Sequence, residues 1–344
     1  MAQAAQVAVV LLNYNGKHWL QRFLGNVLAT DYPALEVVVA DNASTDGSVT
    51  WVREEYPAVR VIEMKENAGY AGGYNRALRE VTADYFVLLN TDVWVEPGWL
   101  QPLIVGMERD KSIGAAQPKI RSYEQRDLFE YAGAAGGWID RLGYPFARGR
   151  ILDRIEADNG QYNDDAEVFW ASGACLCLRR EAWESSGGFD ANFFAHQEEI
   201  DLCWRLQLLG YRVVAFGGTE VYHVGGGTLP VGGRKVMLNF RNNLIMLSRN
   251  LYWTERIWVI PVRWLLDVVA AWRALLQGRV SEFVGIARAH VAVIGWWIGG
   301  KRLEVKGKRS LKTLKGVYNR PMIWDFYVRG KKLFSEIIGG GGKN

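Results

Sequence analysis

Cysteine is scarce: Cys175, Cys177 and Cys203 are the only three in 344 residues. Three thiols without paired spacing exclude a disulfide framework and a structural zinc module, and they suit a reducing compartment. No run of about eighteen uncharged apolar residues occurs, so no membrane-crossing helix is expected. The opening Met1-Ala-Gln-Ala-Ala-Gln6 has no positive charge, and Val7–Leu12 is too short for the apolar core of a signal peptide; none is expected. A G-x-G-x-x-G after the first strand and a Walker A lysine loop are also missing, which argues against NAD and ATP.

What is present is an ordinary globular composition, 49% hydrophobic and 23% charged, with a high tryptophan count of 15. The length suits one large α/β domain with extensions, or two domains. The net charge of +4 conceals an asymmetry. Residues 1–250 carry 24 Lys+Arg against 31 Asp+Glu, and residues 251–344 carry 17 against 6. A basic, tryptophan-bearing last quarter points to an anionic surface as partner.

The first ninety residues alternate apolar runs with amphipathic segments. Strands are predicted at Val7–Leu12, Leu35–Ala40, Val59–Met64 and Tyr85–Leu89, with helices at 17–29, 48–55 and 75–81 between them. Each strand ends in polar or glycine-rich residues. This is the pattern of a doubly wound α/β sheet, whose ligands sit at the carboxyl ends of the strands. Asn13-Tyr14-Asn15 offers donors and an aromatic face there, and Asp41 is an acceptor for a base or ribose. The loop around Gly69, Gly72 and Gly73 lets backbone approach an anion at a helix start. Asp92, after the strand end at Asn90, is a carboxylate able to hold a divalent cation.

Further on, 121–166 reads as a long irregular segment, of the kind that carries function. Strands are predicted at 113–118, 168–178 and 211–216. Glu198, Glu199 and Asp201 crowd the first turn of a largely buried helix. The macrodipole accounts for part of that cluster; apolar neighbours also raise carboxyl pKa values toward the general-base range. His223, in a glycine-rich loop predicted at Val221–Thr228, is a candidate second metal ligand. Near the end, Trp258–Gln277 and Ser281–Ile298 are helical. Arg263, Asp267 and Arg273 fall on one third of the first of these, leaving a wide apolar face, and a basic run from Lys301 follows. This suits a helix pair lying on an anionic leaflet, with packing on the catalytic domain or on a second subunit as the alternative. The basic residues lack an aromatic strand platform, so no nucleic acid is expected.

The strand-end motifs Leu12–Asn15, Asp41–Ser48, Asn67–Asn75 and Leu88–Asp92 are followed in order by Gly187–Asp190, Glu198–Arg205 and Tyr222–Thr228. Together they resemble the family-2 nucleotide-sugar glycosyltransferases of GT-A fold, in particular the rhamnosyltransferase-like subgroup. The match spans about residues 7–250. It implies a Rossmann-like, mixed, mostly parallel sheet with flanking helices, and an inverting single displacement. Asp92 and His223 would hold Mg²⁺ or Mn²⁺. Asn13, Tyr14, Asn15, Asp41, Asn67, Gly69, Gly72, Asn75 and Asn90 would bind the nucleotide. The second acid of a Glu-Asp pair is the base in this family; here Glu199 stands at that position, with Glu198 and Asp201 as fallbacks. Trp170, Gly173 and Arg241, with Lys235, would meet the acceptor or its diphosphate. The subgroup favours dTDP-L-rhamnose over a UDP-hexose or UDP-N-acetylhexosamine. The acceptor is expected to be a polyprenyl-diphosphate-linked glycan at the cytoplasmic face of a bacterial membrane. A nucleotide-sugar-binding protein without turnover is the rival reading. The expected organisation is a transferase domain at 1–250, a basic amphipathic helical extension at 251–338 and a disordered tail at 339–344.

Overall fold

The computed structural model describes residues 4–225, 232–300 and 303–339. Its first part alternates strand and helix: β1 (Val7–Asn13), α1 (Lys17–Leu28), β2 (Leu35–Asp41), α2 (Ser48–Glu55), β3 (Arg60–Glu63) and α3 (Gly69–Glu80). After these come β4 (Tyr85–Leu89), β5 (Val93–Val95) and α4 (Leu100–Arg109). β1 pairs in parallel with β2 and β4, and β2 with β3, giving a parallel block ordered β4-β1-β2-β3. Val7, Val9 and Leu11 enter one core with α1, α2 and α4, while Ala8 and Val10 enter the other with α3. That is the period-two alternation of a strand covered on both faces.

The sheet then becomes mixed. β6 (Ile113–Ser122), β7 (Gly137–Asp140), β8 (Pro145–Ala147), β9 (Arg150–Ile151), β10 (Arg154–Ile155), β11 (Ala166–Glu167) and β12 (Cys175–Arg179) follow in order. Next come α5 (Arg180–Ser186), α6 (Glu198–Leu208) and β13 (Arg212–His223). β12 lies antiparallel between β4 and β6; β13 runs parallel to β6 and takes β5 and β11 antiparallel.

Three expectations change here. The segment 121–166 is not irregular: β7 to β10 form a small second sheet. Strands of two to four residues are too short for periodicity to register. Gly137 makes the close approach there, since a Cβ would lie 2.0 Å from the Trp170 ring. The run 168–178 is strand only from Cys175 onward. The strand predicted at 211–216 continues to His223, so that imidazole stands on a strand end and not in a loop. Residues 226–228 of the predicted loop lie outside the described residues.

The last quarter holds α7 (Gly233–Asn250), α8 (Trp253–Leu276), α9 (Val280–Gly299), β14 (Val317–Tyr318), α10 (Met322–Tyr327) and α11 (Phe334–Gly339). The expected extension at 251–338 is knit into the fold. β14 pairs in parallel with β7, adding an edge to the second sheet. Met322 N donates to Asp140 Oδ2 at 2.8 Å. The Phe334 ring sits 5.4, 6.0 and 5.9 Å from those of Trp138, Phe146 and Tyr162. α11 includes Gly339, where the tail was expected to begin; 340–344, like Lys301 and Arg302 of the basic run, lie outside the described residues.

α8 buries two charged residues beside Val259, Ile260, Ala271 and Ala274. Arg263 and Asp267 are buried, whereas Ile257, Leu265, Val269, Trp272 and Leu276 are exposed, Leu276 at 86%. On α9, Val291 and Ile298 are exposed in the same way. Among the described residues no helix is long and apolar enough to cross a membrane.

Because Phe334 closes the core of the second sheet from near the end of the chain, Phe334→Ala is expected to cost about 3–5 kcal/mol. Urea unfolding should show one transition with a lowered midpoint. A midpoint within error of wild type would mean that the C-terminal segment folds apart from the rest.

Candidate active site

The carboxyl ends of β1, β2 and β3 form one edge of the site. Asn13 and Asp41 are register partners there, and both are buried. Asn13 Nδ2 lies within 3.0 Å of Asp41 Oδ1, Ser44 Oγ and Ser48 Oγ. Asp41 Oδ2 accepts from Ser44 N at 2.8 Å. Asn15, in the left-handed region at φ 51°, accepts from Thr45 N at 2.7 Å. Tyr14 is 53% exposed, leaving its ring open for stacking. These bonds order the two strand-end loops against each other.

Asn42, inside the Asp41–Ser48 motif but given no role from the sequence, pins the next loop. It donates to Asn67 Oδ1 (3.0 Å) and Gly69 O (3.1 Å), and it accepts from Ala68 N (2.9 Å). Gly69 has φ +71°, and a Cβ there would lie 2.3 Å from Phe194 O. α3 begins at this glycine, six residues before the predicted helix start, so Gly72 lies inside a helix and not in a flexible loop. Asn75 is also placed otherwise than expected. Its amide donates to Phe189 O (2.8 Å) and accepts from Phe189 N (2.9 Å), which ties α3 to the chain before α6.

Beside this edge opens a cavity of about 440 Å³ lined by Asn90, Trp170, Gly173, Glu198, Glu199 and His223, among others. Asp92, buried after β4, has Oδ1 3.1 Å from His223 Nε2. Asn90 Nδ2 is 3.4 Å from the same nitrogen. The other face of the ring meets Glu130, a residue sequence reasoning missed because it lies in the segment taken as irregular. Glu130 Oε2 is 3.1 Å from His223 Nδ1, an ionic contact whose angle falls short of a hydrogen bond. Burial alone would lower the His223 pKa; Asp92 and Glu130 outweigh it and push the imidazole up to about 10. Burial would likewise raise the Asp92 carboxyl, but His223 holds it below its ordinary value.

Asp92 and His223 suit a hard divalent cation. Asp92 Oδ1 and His223 Nε2 hydrogen-bond to each other at 3.1 Å, so a cation taken between them would have to displace the imidazole proton. Among the described residues no cluster of three or more His, Cys, Asp or Glu side chains is placed to hold an ion alone. A divalent cation held by two protein side chains would draw most of its ligands from substrate oxygens and water.

The three acids of α6 have three environments. Asp201 is fully buried and takes Arg205 Nε (2.9 Å), Asn250 Nδ2 (2.8 Å) and the Arg249 guanidinium. Burial is opposed by these arginines, which hold its pKa low. It does not line the cavity, so it leaves the set of candidate bases. Glu198 is buried, with Oε2 unpartnered; burial and then the Glu199 charge raise its pKa far above the carboxylate range. Glu199 also has an unpartnered Oε2, and burial pushes its pKa up to about 7. Lys235 lines the cavity, whereas Arg241 does not: its guanidinium donates to Asn242 Oδ1 and Asn192 O, each at 2.8 Å. The linker into α6 is strained, with His196 and Gln197 at φ 72° and 74°. Asn242 Nδ2 holds it through Ala195 O (2.9 Å) and His196 O (2.8 Å).

A mixed sheet with this strand order, flanked by helices and with a cavity at its strand ends, is a GT-A fold. GalNAc-T7, solved with UDP, GalNAc and Mn²⁺, superposes with a TM-score of 0.58 at 15% identity, over 74% of this chain and 49% of that one. The mannosyltransferase PcManGT of Pyrobaculum calidifontis, solved with GDP-Man and Mn²⁺, gives 0.52 at 18% identity, over 85% and 88%. Residues 8–184 match the model of glycosyl transferase family 2, and the chain belongs to that family. It is 30% identical over 299 residues to the N-acetylglucosaminyl-diphospho-decaprenol L-rhamnosyltransferase of Mycobacterium tuberculosis, covering 79% of this chain and 93% of the relative. A second relative, the O-antigen biosynthesis protein RfbC of Myxococcus xanthus, is 29% identical over 208 residues, 59% of this chain and 16% of that protein.

The geometry gives a direct test of the cation site. Asp92→Asn is expected to lower Mn²⁺ affinity, read by electron paramagnetic resonance, at least tenfold while circular dichroism stays unchanged. Glu130→Gln, which loosens the imidazole, should cost about 10–100-fold. Unaltered Mn²⁺ binding in Asp92→Asn would place the ion elsewhere.

Proposed function

We propose that this glycosyltransferase moves a sugar, with inversion, from a nucleotide donor to a hydroxyl of a polyprenyl-diphosphate-linked glycan. The favoured donor is dTDP-L-rhamnose, on the strength of the subgroup motifs and the Mycobacterium tuberculosis relative. A UDP-hexose or UDP-N-acetylhexosamine is the alternative, and a donor screen by mass spectrometry separates them.

The observation that carries the reading is the position of Glu199. It is the second residue of α6, lines the same cavity as Asn90 and His223, and has a buried carboxylate oxygen with no partner. Asn13, Asp41 and the open ring of Tyr14 would orient the nucleoside. Glu199 would take the proton of the acceptor hydroxyl as that oxygen bonds to the anomeric carbon and the nucleoside diphosphate leaves. Glu198, with the higher pKa, keeps its proton and so leaves the base role to its neighbour. When bound at Asp92 and His223, Mg²⁺ or Mn²⁺ supplies positive charge to the departing diphosphate.

α8 and α9 support a place of action at a membrane surface. Their exposed apolar side chains and the excess of positive charge after residue 250 suit a peripheral position on the anionic cytoplasmic leaflet. A homodimer would cover the same face.

Two outcomes are expected. First, kcat should rise with pH through about 7, since the base must be ionised and burial has raised its pKa from the usual ~4.3. Glu199→Gln should lower kcat by roughly 10²–10⁴ with donor affinity little changed, and Glu198→Gln by less. The reverse order would move the base to Glu198. Second, an acceptor on a lipid diphosphate in anionic vesicles should be used far better than the same sugar as a methyl glycoside, and added salt should weaken the advantage. Equal kcat/KM for the two would leave a soluble acceptor, with the apolar face as a subunit interface.

A further inference from the structure

The cavity that Glu199 lines also holds two buried arginines from distant parts of the chain. Arg150 begins β9 in the second sheet, and Arg263 lies in α8; they are 7% and 3% exposed. Arg150 donates once, to Leu152 O at 3.3 Å, and its Cζ stands 4.5 Å over the Tyr131 ring. Among the described residues no carboxylate lies within ion-pair distance of it, and its Nε has no hydrogen-bond partner. Arg263 donates to Leu142 O at 2.9 Å and stacks 3.7 Å over Tyr144. Its nearest carboxylate, Asp267 Oδ1, is 3.6 Å away, outside hydrogen-bond reach, and its Nε is likewise unpartnered. Lys235, from the first turns of α7, lines the same space.

A guanidinium buried without a well-bonded anion is costly, and the cost is recovered only when an anion arrives. Two such groups and an ammonium around one cavity of about 440 Å³ are a receptor for a compact anion with several oxygens. The donor's phosphates are assigned above to Asp92 and His223, at the strand ends of the main sheet, and His223 lines the same cavity as the two arginines. The arginines belong to the opposite construction, the second sheet and α8. The open side of α8 is the exposed apolar ridge, so an anion at Arg263 lies across one helix from that ridge.

We propose that Arg150 and Arg263, with Lys235, form the subsite for the diphosphate of the lipid-linked acceptor. The inference rests on the lipid-diphosphate reading above and names the residues that would enforce it. It also gives the C-terminal helices a part in substrate selection, because one of the two arginines is supplied by α8 itself.

The test uses the full chain and two readouts. In the first, kcat/KM is measured on a lipid-diphosphate acceptor and on the methyl glycoside of the same sugar. The ratio of the two should fall at least tenfold in Arg150→Gln, and in Arg263→Lys, which keeps the charge but loses the forked geometry. A ratio unchanged in both variants overturns the subsite. In the second, inorganic pyrophosphate is titrated into the metal-free protein by calorimetry. Wild type should bind it, and both variants should bind at least tenfold more weakly. Equal affinity in all three, or no binding by wild type, overturns the subsite whatever acceptor the enzyme uses. A wild-type acceptor ratio near one, with pyrophosphate binding that depends on both arginines, would reject the lipid-linked acceptor and keep the anion site. Thermal melts accompany each variant; if Arg263→Lys fails to fold, Arg150→Gln carries both readouts.

Discussion

A buried network of four charges holds the catalytic end of this molecule together. Asp201 on α6 meets Arg205 one turn on and Arg249 on α7; Arg249 also meets Asp190, in the turn before α6. Arg205 continues to Ser186 O (2.6 Å) and Gly188 O (2.7 Å) at the end of α5. Two aspartates and two arginines cancel in charge, and each is almost completely buried. Removing any one leaves a charge in a dry interior, at a cost of about 3–5 kcal/mol. The network fixes where α6 starts, and with it the direction in which Glu198 and Glu199 point. Arg249 also ties this turn to α7, whose Asn242 grips the strained residues just ahead of the two glutamates.

The same helix turn therefore contains acids with opposite properties. Asp201 is saturated by cations and stays ionised. Glu198 and Glu199 stand three and two residues earlier, among apolar groups and without counter-charges, and their protons are held more tightly. The macrodipole of α6 acts on all three and does not distinguish them. What distinguishes them is which way each side chain leaves the helix: toward the arginines or toward the cavity.

Much of this was legible in the chain itself. The four parallel strands announced themselves by apolar runs ending in polar residues, and Asp92, Glu199 and His223 stood in motifs whose order pointed to the family. Other features were hidden for physical reasons. β7 to β10 are shorter than any period a sequence can display. Glu130, Arg150 and Tyr144 lie within that segment, so their convergence on the cavity depends on contacts far apart in the chain. Asn75 resembled a ligand-binding residue because an amide that mimics a peptide bond is suited to either task; only the fold shows that it closes on Phe189. The charged residues of α8 were read as one stripe, but periodicity alone does not say which of them are covered, and Arg273 is exposed. Here Arg263 and Asp267 are inside.

That inversion turns α8 into a ruler. Its covered side presents Arg263 to the cavity, and its open side carries Ile257, Leu265 and Leu276. The two surfaces are separated by the thickness of a single helix, about 10–12 Å with side chains. A molecule that engages both must carry its anionic group within roughly that distance of the start of its hydrocarbon. A diphosphate joined directly to a polyprenyl chain meets the limit; an anion set farther out on a long glycan does not. In this reading the helix gauges the acceptor by the spacing between head and tail, before any sugar hydroxyl is inspected.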